Sequence, residues 1–111
     1  MNVNRAIKPR EEKYAWTRHS QEKMRYYRLT EARVKRIIRH PVRVEEGIFE
    51  NAVGAMQIAE GKNYSEIWAL YLLFGGKKKK IKVISAWRYP GHSPARDPIP
   101  AEILREIRSI L

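Results

Sequence analysis

SEIWALYLLFGGKKKKIKVISAWRY, Ser65 to Tyr89, is the stretch whose reading decides the fold. SEIWALYLLF is apolar at odd and even positions alike, the pattern of a strand covered on both faces of a sheet. Its core, Ile67 to Phe74, is the longest apolar run in the chain and is far too short to span a membrane. GGKKKK turns the chain, and IKVISAWRY returns as the neighbouring strand.

Working upstream, the period stays at two. VRVEEGIFE places Val42 and Val44 on one face and Arg43 and Glu45 on the other, with Gly47 at a bulge or tight turn. NAVGAMQIAEG alternates likewise, and GKN (Gly61–Asn63) is a turn signal. Four strands in succession predict an antiparallel meander. Before them the period changes to that of helices. One runs from about Arg18 to Arg28, with Met24 and Tyr27 toward the core. A second opens at Thr30, a good N-cap, with Leu29 and Val34 placed for a hydrophobic staple. Val34, Ile37 and Ile38 form its apolar stripe, and His40-Pro41 ends it. KYAWT (Lys13–Thr17) alternates and fits a short edge strand.

Downstream, PGHSPARDPIP is a proline-stiffened loop. A last helix starts near Asp97 to Pro100, with Ile103, Leu104, Ile107 and Leu111 in one stripe. The expected class is α+β: N-terminal helices packed on a four-stranded antiparallel curved sheet, with a C-terminal helix. Residues 1–12 read as a polar, basic arm, and residues 13–111 as a single domain.

Lys and Arg number 23 against 12 acids in 111 residues, a net charge of +11. So strong a positive field on so small a body favours polyanions: RNA, DNA or, less often, acidic membrane lipid. The alternatives are a basic surface that serves only solubility, or one that meets an acidic protein. There is no cysteine, which excludes disulfides, thiolate metal sites and a cysteine nucleophile. The N-terminus has no secretory h-region, so a soluble cytoplasmic protein is expected. His19, His40 and His92 lack metal-ligand spacing, and there is no GxxxxGK(S/T) phosphate loop and no GxSxG nucleophile motif. No metal and no cofactor are expected.

His19 and Lys23 stand at i and i+4 and share a helix face, with Tyr26 or Tyr27 one turn on. A histidine near neutrality moves protons, and a lysine holds phosphate. The plainer reading is two polar residues on a solvated helix. Arg88 interrupts an apolar strand, where an arginine is costly unless it meets an anion. It either clamps a phosphate or pairs with Glu66 or Glu46. Trp87 belongs to the core. Arg18, Arg25, Tyr26, Lys35, Arg36, Arg39 and Lys77, Lys78, Lys79 and Lys80 are the further candidates for nucleic-acid contact, the four lysines at a hairpin tip.

The spacing His19…Lys23-Met24 on the first helix, LTE at the second, four strands and a SAWRY ending resembles the RelE/ParE-like toxin superfamily. It is nearest the BrnT-like branch and neighbouring domains with an H-x-x-x-(R/K)-M opening. The resemblance covers roughly Thr17 to Tyr89 in element order. It implies helices on an antiparallel sheet and, in many members, metal-independent cleavage of messenger RNA restrained by an antitoxin. On the matched positions it implies catalytic roles for His19, Lys23 and Arg88, with Tyr26 or Tyr14 in support. The expected partners are RNA and an acidic antitoxin or a larger ribonucleoprotein assembly. A non-catalytic RNA-binding module and a basic interaction protein are the rival readings.

Overall fold

A computed structural model describes residues 13–49, 51–77 and 79–110. The expected arm, residues 1–12, lies outside the described residues, as do Lys78 and Leu111. The elements are β1 (Lys13–Trp16), α1 (Arg18–Tyr27), α2 (Glu31–Arg39), β2 (Arg43–Glu46), β3 (Ala52–Ile58), β4 (Ser65–Phe74), β5 (Lys80–Pro90) and α3 (Ala101–Arg108). The α+β class and the antiparallel meander β2–β5 stand. The expected four-stranded antiparallel sheet does not. The sheet has five strands in the order β1-β5-β4-β3-β2, and β1 pairs with β5 in parallel, Lys13 against Lys80 and Trp16 against Val83. The physical reason is that the outer edge of β5 offers unpaired backbone groups, and β1 enters beside it ahead of α1.

The two sheet faces have different fillings. Ala55, Ala69 and Ala86 stand in register across β3, β4 and β5. Such small side chains leave room for helices, and α2 fills it with Val34, Ile37 and Ile38 while α1 contributes Met24. On the other face the next row is bulky: Met56, Trp68 and Trp87, with the indoles stacked 6.2 Å apart. α3 covers that face with Ile103 and Ile107, both fully buried. A bulge in β5 maintains this division. Ser85 opposes Leu70 but Val83 opposes Tyr71, so Ile84 is the extra residue. Val83 and Ala86 thereby face α1 and α2, while Ile84 and Trp87 face α3.

Gly54 lies on the α3 side of the sheet, where the filling is tight. A Cβ there would stand 2.9 Å from the Ile48 Cδ1 and 3.2 Å from Cζ3 of Trp68. The Ile48 methyl can swing away, but the buried Trp68 ring cannot. Gly54→Ala is expected to lower stability by about 1–3 kcal/mol. It would be read as a lower urea midpoint at unchanged slope.

β2 is turned against the usual hydrophobic order. Val42 and Val44 are exposed, and Arg43 and Glu45 face inward. Arg43 is 5.0 Å from the Trp68 ring and donates to Glu45, to the Ser93 carbonyl and hydroxyl and to the Pro94 carbonyl. Beneath it, the fully buried Glu66 accepts from Tyr64, from Trp68 Nε1 and from the Ser93 hydroxyl. This network ties the 91–100 loop to the sheet and so sets where α3 begins. Trp87, expected in the core, is fully buried and donates to the Pro98 carbonyl in the same loop.

Candidate nucleic-acid interface

α1 continues from β1 and packs against β5. Thr17 makes the junction. Its side chain caps the Ser20 N–H and donates to the carbonyl of Ile84, the bulge residue, at 3.1 Å. The first turn of α1 is thus fixed against the bulge, and His19 is driven inward. It is 9% exposed, and its Nε2 lies 2.9 Å from the Ser85 hydroxyl. Its Nδ1 faces Glu106 of α3 at 3.9 Å. A proton on Nδ1 suits that carboxylate and leaves Nε2 to accept from Ser85. Burial pushes the His19 pKa below its ordinary 6.5 against the opposing pull of Glu106. Burial thus favours the neutral imidazole.

Lys23, one turn on, meets the same carboxylate. Its Nζ donates to Glu106 Oε2 at 3.2 Å and stands 2.9 Å from Oε1. Oε1 nevertheless has no aligned hydrogen-bond donor and is shielded from solvent. These residues form the wall of an open groove of about 610 Å³, lined also by Arg18, Glu22, Tyr26, Lys82, Ser109 and Ile110. Tyr26 is 73% exposed at its side, with the Lys23 ammonium 5.5 Å from its ring.

From the groove a basic track runs along the sheet edge. Lys82 opposes Ala15 and Leu72, and Lys80 opposes Lys13. Side chains alternate along a strand, so Lys80 and Lys82 share one face, and Lys13 joins them by register. Leu72 on that row belongs to the α3 side of the sheet, so the three lysines do as well. On the opposite side Lys35 and Arg39 of α2 gather over the Tyr14 ring at 5.1 and 5.7 Å, and Tyr14 stacks on Trp16. Several acids elsewhere are engaged with other bases: Glu60 with Arg33, and Glu45 and Glu66 with Arg43.

The sequence-derived candidates separate accordingly. His19, Lys23, Arg18 and Tyr26 come together in the groove. Lys80 opens β5 at the head of the track, and Lys77 and Lys79 are exposed in the turn before it. Arg25 and Arg36 are exposed on α1 and α2. Arg88 does not line the groove. It pairs with neither Glu66 nor Glu46; its Nε donates to the Tyr27 carbonyl at 2.9 Å, at the end of α1. Lys82, Ser85 and Glu106 went unremarked in the sequence. Lys82 had a signal, standing two residues after Lys80 in an alternating strand. Ser85 and Glu106 had none, because they meet His19 across 66 and 87 positions of chain.

Among the described residues no group of acids and histidines could hold a metal ion, and no helix is long and apolar enough to cross a membrane. Comparison with protein-family models, curated proteins and solved structures returned no match. The likeness to RelE/ParE-like toxins therefore rests on the motif residues and the order of elements alone.

Proposed function

We propose that the protein binds RNA through the β1–β5 edge, with the phosphate backbone following Lys13, Lys80, Lys82 and Arg18 into the groove beside α1. One observation carries this reading: three lysines from two strands share one face of one edge and lead to a groove walled by further bases. Phosphate contacts by Lys and Arg supply sequence-independent affinity, and an exposed tyrosine at the groove offers a stacking face for a base.

A second reading, a toxin-like metal-independent endoribonuclease, is favoured by His19, which stands in the groove wall and whose neutral form is favoured by burial. There the histidine would take the proton of the 2′-hydroxyl. That oxygen would displace the 5′-oxygen from phosphorus, leaving a 2′,3′-cyclic phosphate, the departing 5′-oxygen would take a proton from water to leave as a hydroxyl, and Lys23 would offset the developing charge. Binding ranks first for three reasons. His19 Nε2 is already engaged by Ser85, Lys23 is neutralised by Glu106, and Arg88 stands apart from both.

The test is a titration of mixed-sequence single-stranded RNA in EDTA at low and moderate salt, with the wild type, His19→Gln and Arg88→Ala. The expected result is tight binding that weakens steeply with salt, with His19→Gln within about 2-fold of wild type and no cleavage. Cleavage that persists in EDTA and vanishes in His19→Gln would establish the second reading. Absence of binding at low salt would overturn both and leave an acidic protein as the partner to seek.

A further inference from the structure

The groove contains a carboxylate where the proposed function places phosphate. Glu106 reaches across from α3 and puts both oxygens within 3.2 Å of the Lys23 ammonium, with one of them 3.9 Å from His19 Nδ1. We propose that Lys23 and His19 form a phosphate subsite of the RNA track whose resting occupant is the Glu106 side chain. This rests on the RNA-binding reading above and adds how the site is regulated: an RNA phosphate must displace an internal anion to enter.

Three features of the contact point this way. First, the two partners differ in burial. The Lys23 side chain is 17% exposed and anchored in the wall, whereas Glu106 is 41% exposed and approaches from the solvent side. Turning one side chain outward vacates the seat without moving α3. Second, the carboxylate satisfies only part of the pocket: it meets the Lys23 ammonium at 2.9 and 3.2 Å but stops 3.9 Å short of His19 Nδ1. A phosphate presents more acceptor oxygens, distributed around a tetrahedron, and can meet Lys23 and an imidazole N–H from different oxygens. Third, the surroundings suit a polyanion. Arg18 and Lys82 line the same groove, and among its lining residues only Glu22 is a further acid. α3 itself is seated by Ile103 and Ile107, so its position does not depend on Glu106.

The consequence is non-additivity. While Glu106 occupies the seat, Lys23 contributes little to RNA affinity. Once the carboxylate is removed, Lys23 contributes fully. The experiment measures affinity for a short single-stranded RNA at fixed moderate salt, with Lys23→Met, Glu106→Gln, the double variant, Glu106→Asp and Glu102→Gln. Glu102 lies one turn earlier on α3 and is not among the lining residues, so it controls for net charge. Glu106→Asp keeps the charge and withdraws it by one methylene.

The expected result is a gain of about 3- to 10-fold for Glu106→Gln over Glu102→Gln, and a smaller gain for Glu106→Asp. Lys23→Met should change affinity by less than about 2-fold in the wild type and abolish the gain in the Glu106→Gln background. Thermal melts of each variant show whether the fold is retained, and the aspartate variant decides the matter if the glutamine variant is unfolded. Equal effects of Glu106→Gln and Glu102→Gln, or the same cost for Lys23→Met in both backgrounds, overturn the subsite while RNA binding stands. No binding by any variant overturns the subsite together with the reading it rests on.

Discussion

Arg43→Met is expected to destabilise the protein by about 3–5 kcal/mol, the cost of leaving a buried partner charge uncompensated. Glu66 is 1% exposed and has the Arg43 guanidinium 3.8 Å away, while Glu45 is held by the same fork at 3.0 Å. Methionine fills much of the arginine's volume but supplies no donor, and the Ser93 and Pro94 carbonyls lose theirs as well. Urea unfolding would measure the loss. Glu66→Gln added to Arg43→Met should recover part of it, because the amide removes the orphaned charge, keeps one oxygen to accept from Trp68 Nε1 and can donate an N–H to the Tyr64 hydroxyl in place of accepting from it.

The same network gives a pH signature. Burial alone would raise the Glu66 pKa, but hydrogen bonds from Ser93, Trp68 and Tyr64 outweigh it, and the net direction is down from 4.5. Glu45 is also held below 4.5, first by the Arg96 backbone N–H and then, against some burial, by Arg43. A carboxylate whose folded pKa is depressed contributes stability that is present above the unfolded value and lost as pH falls through the folded one. Of the two, Arg43 lowers Glu45, so that share of the gap between wild type and Arg43→Met should be full at neutral pH and be lost as the pH drops below about 4.5. A gap that persists unchanged into strong acid would show that packing, not charge, holds the loop.

The second large effect concerns the basic track. Lys80→Glu/Lys82→Glu is expected to weaken RNA affinity by about 10- to 100-fold at low salt. The slope of log affinity against log salt should fall by about 1.4, from two lost single-strand phosphate contacts at about 0.7 each. Lys82 lines the groove and Lys80 stands two residues before it on the same face, so both contacts are lost from one continuous path. Lys62→Glu, an exposed reversal in the turn between β3 and β4, should cost less than about 3-fold. Equal losses at both places would mean that net charge alone attracts RNA and that no particular edge is used.

How far the sequence foretold this molecule depended on how local each signal was. The doubly apolar run Ser65–Phe74 reads directly as the covered strand β4, and the Thr30 cap marks the start of α2, where its side chain accepts from the Arg33 N–H. β2 misleads because its inward face is polar. Val44 is 47% exposed since Arg43 and Glu45 find partners in Glu66 and the 93–96 loop, which no alternation rule can anticipate. The parallel pairing of β1 depends on a strand 67 positions away. His19 and Lys23 were legible as a shared helix face because four-residue spacing is local. That the face turns inward, and that an acid from α3 occupies it, follows only from tertiary contacts. Arg88 could be placed on its strand face from alternation, but not beyond the reach of the groove.

The pairing of β1 with β5 also bears on the order in which the interface comes into being. A ribosome delivers Lys13 long before Lys80, and among the described residues β1 pairs with β5 alone. Until β5 has emerged, α1 lacks the bulge carbonyl that its Thr17 meets, and His19 lacks Ser85. Contacts of such long range are late and slow to close. The lysine track is thus assembled from the first and the last strands together. A nascent chain carrying only the first half of the sequence has the basic residues of α1 and α2 but no edge along which to align them.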